Sequence, residues 1–122
     1  MERDRFRSLV GEALDSLPAR LRARIANLEI VVESSPTPED LEQAGLGAGD
    51  VLLGLYHGIP LPERSDGYSF ALPDKISIYQ EPIESICAGD DEVREEIRIT
   101  VLHEIGHYFG IGEERLGELG LG

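Results

Sequence analysis

The stretch from Asp90 to Phe109 constrains the fold more than any other part of this chain, because its side chains divide cleanly around one helix. With His103 set at zero on a helical wheel, His107 falls about 40° away and Glu104 about 100° away. Ile97, Val101, Ile105 and Phe109 gather on the opposite side. An apolar arc of that width has to be buried against a second layer, which leaves the histidines facing a cleft. Asp90 and Asp91 place negative charge where a helix start favours it, and Gly110 and Gly112 stop the helix near Phe109.

The rest of the chain supplies that second layer. Phe6, Leu9, Val10, Ala13, Leu14 and Leu17 form one stripe of an amphipathic helix over residues 4–17, and Pro18 opens a short helical stretch from Ala19 to Ala26. Leu28 to Val32 reads as a strand. A connector with Pro36, Pro38 and three glycines follows, with a helical turn at Glu39–Ala44. Val51–Tyr56 reads as a second strand, broken by Gly54, which marks a bulge or a close backbone approach. Tyr68–Leu72 and Ile76–Ile78 alternate as the arms of a hairpin, Pro82–Cys87 makes a turn or two of helix, and Glu113–Leu119 a last short one.

With 122 residues, 41% of them hydrophobic, the chain can bury one core without staples, and residues 1–122 are expected to form one domain. Eleven basic against 24 acidic residues give a net charge of −13, which argues against nucleic acid and anionic membranes as partners. Cys87 is the only cysteine, so internal disulfides, cysteine zinc fingers and iron–sulfur clusters are excluded. It reads as a small buried apolar residue, because nothing basic adjoins it to activate a thiolate. The charged start and the lack of long apolar runs make a soluble, cytoplasmic protein the expectation.

His103-Glu104-Ile105-Gly106-His107 matches H-E-x-x-H inside the long helix. Positions i and i+4 bring two imidazoles to one point beside a helix, where neutral ring nitrogens ligate zinc at about 2.0–2.1 Å. Glu104 is turned to face a water beside the metal and not the metal itself. From residue frequencies the motif should occur by chance on the order of once in several hundred chains of this length. Gly106, in mid-helix, costs about 1 kcal/mol relative to alanine and points to a close approach there.

A catalytic zinc keeps three protein ligands and one open position. The chain continues to Gly110 and Glu113, giving H-E-x-x-H-x-x-G-x-x-E. Gly110 lets the backbone leave the helix sharply, through a positive-φ residue, and return a third ligand. Spacing selects Glu113 for it, with Glu114 and Glu118 as rivals.

These residues, together with Leu55–Leu61 and Leu72–Tyr79, make the chain resemble the minimal zincin-like metallopeptidases, small and mainly bacterial domains, over nearly its whole length. The resemblance implies an α+β zincin-like core: a short twisted mixed sheet of three to four strands packed against an N-terminal helix and the motif helix. It also implies Zn²⁺ on His103 and His107, with an acidic third ligand that maps onto Glu113. Larger metzincins have a third histidine in place of Glu113 and a methionine turn below the metal; here the only methionine is Met1, and nine residues follow Glu113.

The expected activity is hydrolysis of a peptide bond in a peptide or protein substrate, with Glu104 as general base and then acid. Val51–Tyr56 or Tyr68–Leu72 would align the peptide as an edge strand. Tyr56, Tyr68, Tyr79, Tyr108 and His57 are the conceivable oxyanion donors, and Arg64 could meet a substrate carboxylate. The alternative is a zinc-binding or peptide-binding module of the same fold with little turnover. The oligomeric state is not legible.

Overall fold

The structure, a computed structural model, describes residues 1–58, 74–111 and 115. Its elements in chain order are α1 (Arg3–Asp15), α2 (Ala19–Arg22), β1 (Leu28–Glu33), α3 (Pro38–Gln43), β2 (Gly54–His57), β3 (Asp74–Tyr79), α4 (Gln80–Ser85) and α5 (Asp90–Tyr108). The three strands form one mixed sheet in the order β1-β3-β2. β3 lies in the middle, parallel to β1 with Ile30 opposite Ile76, and antiparallel to β2 with Tyr56 opposite Ile76. This is the mixed α+β architecture expected from the sequence.

The strand period of two assigns each residue to a face. Ile30, Val32, Gly54, Tyr56, Ile76 and Ile78 share the face turned toward α5, and Val31, Glu33, Leu55, His57, Lys75, Ser77 and Tyr79 share the other. On the first face the apolar stripe of α1 (Phe6, Leu9, Val10, Ala13) packs against Val93, Ile97, Val101 and Ile105 of α5, over Ile76 and Ile78. All of these are buried, and each large aliphatic side chain taken fully from water contributes about 1.5–3 kcal/mol. This core anchors α5 by the arc opposite its histidines.

Polar side chains fix how the helices meet the sheet. α4 follows β3 without a linker, and buried Gln80 at its start accepts from Arg3 Nε at 2.6 Å and donates to the Met1 carbonyl at 2.7 Å. The first turn of α1 is thereby tied to α4. α3 opens with a capping box: Thr37 Oγ1 accepts from the Asp40 N–H at 3.0 Å, and Asp40 Oδ2 accepts from the Thr37 N–H at 3.1 Å. Tyr79, fully buried, donates its hydroxyl to the same Asp40 oxygen at 2.9 Å and so docks α3 on the second face of the sheet.

The sequence misplaced one strand. Pairing begins at Gly54 and runs to His57, so the glycine starts β2 and does not interrupt a strand from Val51. Val51 is 57% exposed. β3's antiparallel partner is β2; the Tyr68–Leu72 arm assigned to a hairpin lies outside the described residues, as does most of the last short helix. Among the described residues no helix is long and apolar enough to cross a membrane.

Candidate metal centre

The two motif histidines converge. His103 Nε2 and His107 Nε2 stand 3.1 Å apart, with their ring planes at 80°. Two nitrogens bound at about 2.0–2.1 Å to one tetrahedral ion stand about 3.3 Å from each other, so this spacing fits a shared divalent cation. With no cation between them, the same approach requires one ring to donate an N–H to the other's lone pair. Both rings are half-buried, Glu104 is 7% exposed, and the ligand atoms of the three residues lie within 4.8 Å of one another. The two imidazoles suit zinc as ligands, and the Glu104 carboxylate beside them is close enough to meet a water on such an ion.

Glu104 is held in place by a glycine. A Cβ on Gly54 would lie 2.7 Å from Thr100 Cγ2, 3.2 Å from the Ser77 carbonyl oxygen and 3.3 Å from Glu104 Cγ. Only glycine lets the β2 backbone approach α5 this closely. That approach covers the Glu104 stem, and it explains the glycine that opens the strand.

Beyond His107 the helix ends as the sequence predicts. Gly110 has φ +76°; its N–H reaches the His107 carbonyl at 2.9 Å and the Ile111 N–H reaches the Gly106 carbonyl at 2.9 Å. This is a Schellman turn, which reverses the chain one turn after the second histidine. Glu113, the third ligand selected by spacing, lies outside the described residues, and so do its rivals Glu114 and Glu118.

Among the described residues, the conceivable oxyanion donors are engaged elsewhere. Tyr108 is fully buried, where a tip in water would be the ordinary expectation; its hydroxyl donates to the Ala26 carbonyl at 2.8 Å and accepts from the Ala26 N–H at 3.1 Å. Tyr79 and His57 belong to the second face of the sheet. The Tyr79 pKa is pushed far up by burial and by Asp40, and burial with Lys75 nearby pushes the His57 pKa down, so His57 is neutral at pH 7. Tyr56 donates to Asp74 Oδ2 at 2.5 Å. Tyr68 and Arg64 lie outside the described residues. Cys87 is half-buried against the core where the sequence suggested a buried residue, and burial, with Glu96, Glu92 and Glu84 nearby, raises its pKa.

Two positions matter more than the sequence revealed. Asp74 is 2% exposed and accepts from Tyr56, and a Cβ on Gly58 (φ +155°) would collide with its carboxylate. Tyr56 in turn meets the ring of Tyr108 edge-on at 6.1 Å. This clamp fixes the end of β2 beside the motif helix. Its only trace in the sequence is a glycine and an aspartate at strand ends, which many unrelated strands share.

A family described as zincin-like metallopeptidase matches residues 25–122. A solved structure of a conserved hypothetical protein from T. thermophilus is 20% identical and superposes with a TM-score of 0.59, covering 89% of this chain and 94% of that one. That likeness shows a shared fold. No curated protein matches this chain.

Proposed function

The chain belongs to the zincin-like metallopeptidase family, and from that premise we propose that it hydrolyses peptide bonds with one zinc ion. His103 and His107 would hold the ion, with Glu113 as third ligand and Glu104 as general base. The observation that carries this reading is the convergence of two half-buried imidazole nitrogens to 3.1 Å beside a buried carboxylate. A bound Zn²⁺ acidifies water and polarises a carbonyl oxygen. Glu104 takes the proton of the attacking water and passes it to the leaving amine, so no acyl-enzyme is required. Its stem lies close to the β2 backbone, where a side chain on Gly54 would crowd it.

β2 is an edge strand: one side pairs with β3, and the other pairs with no strand among the described residues. An extended peptide can add to that edge by backbone hydrogen bonds, which brings its main chain past Gly54 and Glu104. The test is zinc stoichiometry and cleavage of a broad peptide library for the natural chain, Glu104→Gln and His107→Ala. Glu104→Gln should keep zinc and lose hydrolysis; His107→Ala should lose both. A natural chain that binds zinc and cuts nothing is a zinc- or peptide-binding module, and the peptidase reading then fails.

A further inference from the structure

The space beside Glu104 continues along α5 toward the start of the helix as a 260 Å³ cleft. It is lined by Leu52 and Leu53, which lead into β2, and by Ile99, Thr100 and Glu96 of α5, of which Glu96 stands furthest along the helix from the motif. Residues 96, 100 and 104, and likewise 99 and 103, fall one turn apart on one face. At 1.5 Å per residue, Glu96 sits about 10 Å along the axis from His103.

The cleft therefore has apolar walls near the metal centre and one carboxylate further from it along α5. Glu96 is half-buried, and neither arginine beside it on the helix turns to it: Arg94 reaches Glu12 at 3.8 Å, and Arg98 pairs with Glu95. Leucine in this cleft would satisfy the walls but strip water from a carboxylate without giving it a partner. An acidic side chain would meet like charge, within the field of a chain of net charge −13. Lysine and arginine alone have a long apolar stem that ends in a cation.

We propose that Glu96 sets substrate preference: the cleft takes a lysine or arginine side chain next to the scissile bond, its stem on Leu52, Leu53 and Ile99 and its cation on Glu96. The inference rests on the peptidase reading for its substrate class.

The zinc-loaded natural chain, Glu96→Gln and Glu96→Lys are each given a library of blocked octapeptides, with cut sites mapped by mass spectrometry. The natural chain should favour lysine or arginine beside the cut over glutamate or aspartate by about tenfold or more. Glu96→Gln should flatten that preference and Glu96→Lys reverse it. Cleavage with the same preference in all three proteins overturns the inference and leaves the peptidase reading intact. The second arm needs no turnover: fluorescence anisotropy with labelled octa-alanine carrying one lysine or one glutamate. The lysine peptide should bind the natural chain about tenfold more tightly than it binds Glu96→Lys. If no protein cuts the library, this arm alone decides: equal affinity for both peptides, or no change in Glu96→Lys, overturns the inference.

Discussion

Replacing Gly54 with alanine tests the contact between β2 and the motif helix on which the placement of Glu104 depends. The new methyl would meet Thr100 Cγ2 at 2.7 Å and the Ser77 carbonyl at 3.2 Å. Neither can move aside cheaply: Thr100 is a buried β-branched residue with restricted χ1, and the Ser77 carbonyl belongs to the central strand. Overpacking of this kind costs about 1–3 kcal/mol, and about 0.5–1 kcal/mol returns because alanine is easier to order than glycine. The net loss is about 1–2 kcal/mol. For 122 residues the entropy of unfolding is about 0.26 kcal/mol/K, so Tm should fall by about 4–8 °C. Thr100→Ser removes the colliding methyl, and Gly54→Ala with Thr100→Ser should recover a large part of the loss, a coupling that a double-mutant cycle by calorimetry measures directly. If Gly54→Ala raises Tm, or the two changes simply add, strand and helix are not in contact here and the account of Glu104 fails with it.

Three further outcomes are expected. Tyr108→Phe leaves the Ala26 N–H and carbonyl without their shared hydroxyl and should destabilise by about 1–2 kcal/mol in urea titration. For Asp40, burial raises the pKa, but the hydrogen bonds from the Thr37 N–H and the Tyr79 hydroxyl outweigh it and hold the carboxyl below its ordinary value. Its stabilisation is therefore complete above the unfolded value of about 3.9 and lost as pH falls through the lower folded value. The stability gap between the natural chain and Asp40→Ala should accordingly close between pH 5 and the acid limit, and a gap that widens in acid would contradict this. Glu113→Ala should weaken zinc binding in a competitive chelator titration more than Glu114→Ala or Glu118→Ala; the opposite order would assign the third ligand elsewhere.

The sequence by itself determined what depends on local periodicity. The arc of Ile97, Val101 and Ile105 against the histidines fixed which side of α5 is buried, and i, i+4 spacing fixed that the two imidazoles meet. Gly110 announced the end of the helix, because only a positive φ completes the turn found there. The tertiary structure alone decided what depends on residues far apart in the chain. Gly54 comes close to Thr100 and Glu104, Tyr56 reaches Asp74, Tyr108 reaches Ala26, and Leu52 and Ile99 line one cleft. None of these pairs has a period or a spacing to read. Each arises because β3 pairs with β1 on one side and β2 on the other, and that order of strands sets which edge lies beside the motif helix.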